Sequence, residues 1–266
     1  MTRPDVPSDS PRRSARLAKT GSMWVVRHGE RADVADWDWW LTADRPHDPP
    51  LTPLGKKQAS AAGDALVGQP VECIYSSPFR RCIQTSIEIA DALGGDLKIK
   101  IEPGLGEMLH HDWFDFPAPN ERSGNPVNGA MSTEALVETY GANRIDASHT
   151  PIFDVRERSG INSLNSSCEY YTFPEHWHDG IARYQATLRK LQTMSPYSVL
   201  VTHGAGVQAC AESVDGIDME DMEIGYCCLT NLKRQGTSEA KEAWKMGMLA
   251  VDKHTAGLES MRTNFR

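Results

Sequence analysis

Short apolar segments alternate with longer amphipathic segments along the first hundred residues of the chain. Apolar runs at 23–26, 71–75 and 97–101 predict buried strands, because short runs bounded by turn residues are typical of a parallel sheet. The segments 53–67 and 79–93 carry apolar residues at helical spacing and predict helices between those strands. This β-α-β-α-β alternation predicts a doubly wound parallel sheet with right-handed crossovers.

Capping residues support the two predicted helices. Thr52 is a favourable N-cap, and Pro53 follows it at the first helical position, where proline is well tolerated. Gly94 and Gly95 are expected to end the second helix, because glycine adopts the left-handed conformation common after a last helical turn.

The second half of the chain begins with a long irregular region. Residues 103–174 are rich in Pro, Gly, Asn and Ser, with one helical patch at 133–140. So long an irregular stretch is usually functional, and we expect 103–174 to form an insertion that covers the active site. The remaining segments predict a helix from 174 or 175 to 194, a strand at 197–202, a helix through Cys210, and strands at 226–232 and 243–248.

Composition excludes several classes of partner. The 266 residues are 39% apolar and 24% charged, and no apolar run approaches the roughly 20 residues that span a bilayer. A formal net charge of −8 argues against nucleic acid as the main partner, so an anion site must be a local positive pocket. Residues 1–21 are rich in Pro, Ser and Arg and are predicted to be a disordered tail. They lack the apolar core of a signal peptide, so we expect the protein in the cytoplasm.

The six cysteines are scattered and include no CxxC pair, so we expect reduced thiols rather than a zinc or redox motif. A cysteine phosphatase loop needs an arginine that is separated from the cysteine by five residues. Cys73 has Phe79 at that position.

Two predicted strands are followed directly by a histidine and a glycine. Residues 27–31 (Arg-His-Gly-Glu-Arg) come after the strand at 23–26, and His203-Gly204 comes after the strand at 197–202. Ligands bind at the carboxyl ends of strands in open α/β sheets, and guanidinium groups match phosphate oxygens. The pattern therefore predicts a phosphate site with His28 as nucleophile or proton donor.

Two further strand ends supply an arginine and a carboxylate. Arg80 and Arg81 lie in the first turn of the helix after 71–75, where backbone N–H groups also favour an anion. Glu102 and Glu107 follow the third strand and are the candidates for a general acid. Each residue alone has a structural explanation, such as an ion pair on a helix surface. Histidine, arginine and glutamate at four strand ends together indicate phosphoryl transfer.

The order of the motifs RHGE, SSPFRRCIQT, EPGLGE and VTHG resembles the histidine phosphatase superfamily. Within it, the resemblance is strongest to the catalytic domain of the Sts/TULA and ecdysteroid-phosphate phosphatases and covers most of residues 22–250. It implies a phosphoglycerate-mutase-like, three-layer α/β sandwich over 22–266, with a mostly parallel central sheet. It further implies a phosphomonoester hydrolase of the acid type that acts through a phosphohistidine, with no metal or other cofactor.

The resemblance also implies individual roles. His28 becomes the nucleophile, neutral at its attacking nitrogen, and Glu107 rather than Glu102 protonates the leaving alcohol and later activates water. Arg81 is chosen over Arg80 by its position directly before Cys82 in the motif. Met108 stands where the family often has an aromatic residue, so leaving-group binding differs there. The phosphate pocket is implied to consist of Arg27, Arg31, Arg81 and a protonated His203.

The motifs leave the substrate open between a phosphorylated small molecule and a phosphoprotein. Trp37, Trp39 and Trp40, with aromatic residues at 113–116, either bind an aryl or steroid phosphate or pack the insertion onto the sheet. Phosphotyrosine is a further candidate, and neither nucleic acid nor a membrane is expected as partner. The resemblance is compatible with a homodimer.

Three alternatives are weaker. One is a catalytically weak scaffold that binds phosphoproteins. Another is a phosphoglycerate mutase, although residues 31–34 lack the tryptophan-asparagine stretch of mutases. A metal hydrolase would have to use the histidines at 110–111 and 176–178, which no suitably spaced carboxylates accompany.

Overall fold

The protein is described by a computed structural model at residues 20–36, 38–114, 131–153, 174–215, 223–235 and 243–258. These residues contain a six-stranded sheet with the strand order β3-β2-β4-β1-β5-β6. The strands are β1 (Thr20–Arg27), β2 (Cys73–Ser76), β3 (Ile99–Ile101), β4 (Ser198–Thr202), β5 (Leu229–Gln235) and β6 (Ala243–Val251). The first four are parallel to one another, β5 is antiparallel to β1, and β6 is antiparallel to β5. The predicted α/β fold with a mostly parallel sheet is confirmed.

Helices pack on both faces of this sheet. In chain order they are α1 (Ala32–Ala35), α2 (Trp39–Thr42), α3 (Pro53–Leu66), α4 (Arg80–Ala92), α5 (His111–Phe114), α6 (Thr133–Tyr140), α7 (Trp177–Met194) and α8 (Gly204–Asp215), with 3₁₀ turns at Pro103–Leu105 and Lys253–Thr255. Val26 of β1 belongs to a core cluster with residues of α3 and α4, whereas Val25 belongs to one with residues of α7 and α8. Successive strand residues point to opposite faces, so the sheet is the middle of three layers. Within the described ranges, no helix has the length and apolar character needed to cross a membrane.

The predicted helix ends are confirmed at α3 and α4. Oγ1 of Thr52 accepts a hydrogen bond from the backbone N–H of Gly55 at 2.9 Å, as an N-cap does. Helix α4 ends at Ala92, and Gly94 and Gly95 follow with φ angles of +109° and +80°.

Among the strand boundaries that differ from the prediction, those of β1 and β5 have a physical explanation in the structure. Strand β1 begins at Thr20, inside the segment 1–21 that was predicted to be a disordered tail, because the backbones of Thr20 and Gly21 pair with β5. That pairing involves no apolar side chain, so the hydrophobic pattern could not reveal it. The rest of the predicted tail, residues 1–19, lies outside the described residues. Strand β5 begins at Leu229 rather than at 226, after Cys227 with a φ of +54°, which is not a strand conformation.

Residues 131–145 of the insertion pack at one edge of the sheet. The helical patch predicted at 133–140 is α6, and Ile145 forms a parallel bridge with Ile99 of β3. Leu136 of α6 shares a core cluster with both isoleucines. The expectation that the insertion covers the active site falls on 115–130 and 154–173, which lie outside the described residues.

Candidate active site

Four adjacent parallel strands each place one functional side chain at the same edge of the sheet. His28 directly follows β1, and His203 directly follows β4, its neighbour in the sheet. Arg81 lies in the first turn of α4, after β2, and Glu107 follows the 3₁₀ turn after β3. All four residues are buried. The structure therefore brings together the four strand ends that the sequence analysis singled out.

His28 has one ring nitrogen without a proton. Nδ1 lies 2.8 Å from the carbonyl oxygen of Gly29. A carbonyl oxygen only accepts, so Nδ1 carries the proton and Nε2 keeps its lone pair. Burial, followed by the charges of Arg81 and His203, holds the pKa of His28 well below its ordinary value of 6.5. His28 is thus a neutral imidazole at neutral pH, as a nucleophile must be.

Glu107 accepts hydrogen bonds from two side chains through one oxygen. Oε2 lies 2.9 Å from Nη2 of Arg81 and 3.0 Å from Nδ1 of His203. Burial alone would raise the pKa of Glu107, but His203 and Arg81 hold it well below its ordinary value. Glu107 is therefore an ionised carboxylate in this arrangement.

His203 lies between that carboxylate and Ser77. Its Nε2 lies 2.9 Å from Oγ of Ser77, which donates to it when Nδ1 carries the ring proton. Burial lowers the pKa of His203 to about 4, although Glu107 acts in the opposite direction. His203 is therefore neutral in this arrangement, because the loss of hydration outweighs one neighbouring carboxylate. The expectation that His203 is protonated concerns the site with phosphate bound and stays a prediction.

Arg81 retains hydrogen-bonding capacity at the centre of the site. Its Nε and Nη1 are buried and have no hydrogen-bond partner within the described residues. The buried carboxylate of Asp48 lies 3.9 Å from Nη1, too far for a hydrogen bond. Burial would lower the pKa of Arg81, but Glu107 and other negative groups raise it, so its charge is permanent. These donors are available to an anion, which is what a guanidinium fork binds best.

The other two predicted phosphate ligands differ in their surroundings. Arg27 is buried, donates to the carbonyl oxygen of Ile224, and lies 4.3 Å over the ring of Tyr226. Arg31 is partly exposed, and its Nε and Nη2 each lie 3.0 Å from an oxygen of Asp33. Both charges act on His28 and lower its pKa. Arg27 thus belongs to the interior of the site and Arg31 to its rim.

The alternatives Arg80 and Glu102 have structural roles instead. The backbone N–H and Nε of Arg80 donate to Asp48 at 2.7 and 3.0 Å. Glu102 is fully buried and accepts from the backbone N–H groups of Gly104, Ile152 and Phe153. Neither side chain joins the cluster around His28.

One group of residues in the described part of the chain has the composition of a metal site. One ligand atom each of His28, Glu107 and His203 lies within 4.8 Å of the others, and two histidines with one glutamate are a set that zinc uses. The charges of Arg81, Arg27 and Arg31 act on the same residues, however, and favour an anion over a cation.

Of the histidines considered for a metal hydrolase, His110, His176 and His178 do not join that group, and the side chain of His111 is outside the described part of the chain. His110 lies 3.4 Å from Asp112, and the rings of His176 and His178 stack on each other at 5.9 Å.

Sequence reasoning missed two buried charged residues beside the site, Asp48 and Arg183. Arg183 lies on the buried face of α7 with Tyr184, Leu188 and Leu191. Helical spacing could have identified it as a charge at an apolar position. Asp48 lies in an irregular segment before α3 and carries no such signal.

Comparison with known proteins agrees with the geometry. Residues 23–129 match the family described as histidine phosphatase superfamily (branch 1). The ecdysteroid-phosphate phosphatase of Drosophila melanogaster is 27% identical over 82% of this chain and 31% of its own length. The human ubiquitin-associated and SH3 domain-containing protein A is 30% identical over 82% of this chain and 36% of its own. The chain thus spans about a third of the length of these relatives.

Solved structures share the fold. The ecdysone phosphate phosphatase of Bombyx mori in complex with tungstate superposes with a TM-score of 0.56 at 20% identity, covering 86% of this chain and 93% of that one. The phosphoglycerate mutase of Bacillus anthracis superposes with a TM-score of 0.56 at 18% identity, covering 91% and 97%. With the family match and these relatives, the chain belongs to the histidine phosphatase superfamily.

Proposed function

We propose that this chain is a phosphomonoester hydrolase in which His28 is the nucleophile. The observation that carries the proposal is the convergence of four buried side chains at the ends of four adjacent parallel strands: His28, Arg81, Glu107 and His203. This set combines a neutral nucleophile, cationic or N–H donors for phosphate oxygens, and a carboxyl group for proton transfer.

In the first step, Nε2 of His28 attacks phosphorus. A P–N bond forms while the bond between phosphorus and the ester oxygen breaks, and protonated Glu107 gives its proton to the departing alcohol. Arg81, Arg27, Arg31 and His203 stabilise the negative charge on the three equatorial oxygens.

In the second step, the Glu107 carboxylate takes a proton from water as that water attacks the phosphohistidine. The P–N bond breaks, inorganic phosphate leaves, and His28 returns to its neutral form. Two displacements replace one slow direct attack of water, which is the benefit of a covalent intermediate.

Glu107 must gain a proton before the first step. Oxygens of a bound phosphate would take the hydrogen bonds of Arg81 and His203 that now hold the Glu107 carboxylate. The dianion also places negative charge beside Glu107, which raises the pKa of a carboxyl group. A monoanionic substrate carries the required proton into the site.

We propose an aryl or steroid phosphate, or a phosphotyrosine protein, as substrate. A steroid phosphate is supported by the similarity to an ecdysteroid-phosphate phosphatase. An aromatic group on the substrate is supported by Trp113, which packs beside Met108, the residue after Glu107, and meets Trp177 edge-on at 6.0 Å. Trp37 and Phe116 lie outside the described residues. A homodimer, a cytoplasmic location, and the expectation of no nucleic-acid or membrane partner stay predictions.

Hydrolysis of p-nitrophenyl phosphate by wild type, His28→Ala and His178→Ala tests the proposal. His178 is an exposed histidine and serves as the matched control. We expect turnover to be lost only in His28→Ala, and acid-labile, base-stable label to be trapped on the wild type after quenching with ³²P-labelled substrate. Full activity in excess chelator is also expected. Equal inactivity of all three proteins with retained phosphopeptide binding would favour the scaffold, and stimulation by bisphosphoglycerate would favour a mutase.

A further inference from the structure

We infer that Arg183 is a positioning residue for the proton-transfer step, acting through the loop that carries Glu107. The inference rests on the proposed function and assigns a role to a buried side chain on α7. The loop is defined here as Gly104–Leu109 and is called the acid loop.

Arg183 holds the acid loop through backbone carbonyl groups. Its Nη1 donates to the carbonyl oxygens of Gly104 and Gly106, each at 3.0 Å, and its Nη2 donates to that of Glu107 at 3.3 Å. One buried guanidinium therefore satisfies three of the four backbone carbonyl groups from Gly104 to Glu107. Since the last of them is the carbonyl of Glu107 itself, the position of this residue's backbone depends directly on Arg183.

The remaining donors of Arg183 bind Glu175. Nε and Nη2 lie 2.8 Å from its two carboxylate oxygens, so all five N–H donors of the guanidinium have partners. Glu175 in turn accepts from the backbone N–H of Leu109 at 3.2 Å, at the far end of the acid loop. The pair clamps both ends of the loop onto the start of α7.

This clamp acts by geometry rather than by charge. The Arg183 cation is paired with the Glu175 anion, and both side chains are almost completely buried. The groups that chiefly lower the pKa of Glu107 are His203, Arg81 and Arg31 rather than Arg183. Removal of Arg183 is therefore expected to leave the phosphate pocket intact and to disturb the orientation of the Glu107 carboxylate.

Neighbouring contacts limit how the acid loop can move. The hydroxyl of Tyr184 donates to the carbonyl of Gly106 at 2.5 Å, and Oγ1 of Thr202 donates to that of Leu105 at 2.7 Å. A Cβ atom on Gly104 would lie 2.0 Å from Oγ1 of Thr187. With these contacts in place, a substitution of Arg183 releases chiefly the segment at Glu107.

The chemical consequence is a dependence on the leaving group. p-Nitrophenolate departs readily without a proton, whereas phenolate needs the proton that Glu107 supplies. A misplaced Glu107 carboxyl group therefore slows phenyl phosphate much more than p-nitrophenyl phosphate. A general loss of folded protein or of phosphate binding would slow both esters equally.

The test measures kcat/KM for both esters in the wild type, Arg183→Lys, Arg183→Met, Glu107→Gln and Arg183→Lys combined with Glu107→Gln. Arg189→Met, an exposed arginine on the same helix, is the matched control. Lysine keeps the positive charge that pairs with Glu175 but lacks the planar guanidinium fork. Arg183→Lys therefore serves as the test variant if Arg183→Met does not fold.

We expect Arg183→Lys to reduce kcat/KM on phenyl phosphate about tenfold more than on p-nitrophenyl phosphate. In the Glu107→Gln background, the same change should cost less than about twofold, because a residue that acts through Glu107 has nothing left to position. Equal losses on the two esters, or an undiminished loss in the Glu107→Gln background, would overturn the inference. Absence of His28-dependent turnover in the wild type would instead overturn the proposed function.

Discussion

Oε2 of Glu107 lies 3.0 Å from Nδ1 of His203, and the same oxygen accepts from Arg81 at 2.9 Å. The proposed mechanism assigns both donors to phosphate oxygens. The Glu107 carboxylate therefore competes with the substrate for its binding groups and is released for proton transfer when the phosphate displaces it.

Glu107→Gln is expected to separate binding from turnover. The amide removes a negative charge beside the bound phosphate, so inorganic phosphate should bind about tenfold more tightly. Turnover of phenyl phosphate should fall by about 10²–10³, because the proton donor is lost. Calorimetric titration with phosphate and initial rates measure the two effects. Glu138→Gln, on the exposed side of α6, is the control, and weaker phosphate binding by Glu107→Gln would contradict the competition.

Arg81 and Arg80 are adjacent, and only one is expected to bind phosphate. Arg81→Met should lower kcat/KM by about 10²–10³, since it removes the buried donors at the centre of the site. Arg80→Met should cost less than about fivefold, because Arg80 is partly exposed and its partner is Asp48. Steady-state kinetics on p-nitrophenyl phosphate compare the two. A larger loss in Arg80→Met would reverse the assignment.

The lowered pKa of His28 predicts activity well below pH 6.5. Only neutral His28 is a nucleophile, and a depressed pKa keeps it neutral as pH falls through its ordinary value of 6.5. On the basic side, the substrate loses the proton needed by Glu107 near the second phosphate pKa of about 6. We therefore expect kcat/KM to peak on the acid side of neutrality. The check is a profile from pH 3.5 to 8, corrected for the substrate's own titration by ³¹P NMR. An acid limb with an apparent pKa of 6.5 or higher would contradict the expectation.

The histidines were predictable from sequence because each stands directly after an apolar strand. Strand ends in a parallel sheet meet at one edge, so His28 and His203 could be placed together without coordinates. Arg80 and Arg81 could not be separated in this way. They differ by one helical position, about 100° of rotation, and the residue pattern alone does not say which faces the site. The family resemblance selected Arg81, and the geometry agrees.

The features that could not be predicted from the sequence depend on long-range packing and on burial. Asp48 contacts α4 across a separation of 32 residues, and Arg183 contacts the acid loop across about 76 to 79 residues. No local periodicity encodes such contacts. The neutral state of His203 in this arrangement could not be predicted for a related reason, since its pKa is determined by loss of hydration and by neighbours from three other strand ends.

Gly29 is expected to be indispensable for holding His28, for a steric reason. A Cβ atom at Gly29 would lie 2.4 Å from the carbonyl oxygen of Gly55 in α3, a backbone atom that cannot rotate away. Gly29→Ala must therefore push the turn away from α3, and with it the carbonyl that binds Nδ1 of His28. We expect a loss of about 1–3 kcal/mol in the free energy of unfolding, measured by urea denaturation, together with a lower kcat.

Gly225→Ala provides the comparison for that variant. The nearest atom to its added Cβ is a side-chain oxygen of Asp252 at 3.3 Å, which can shift, so the change in stability should be smaller. The two variants separate the close backbone contact from the general effect of replacing glycine. If Gly29→Ala were as stable as Gly225→Ala and retained wild-type kcat, the approach of the His28 turn to α3 would not be what fixes the imidazole. In that case the orientation of His28 would have to come from its contacts with His203 and Tyr226, whose ring centroids lie 5.3 and 5.8 Å away.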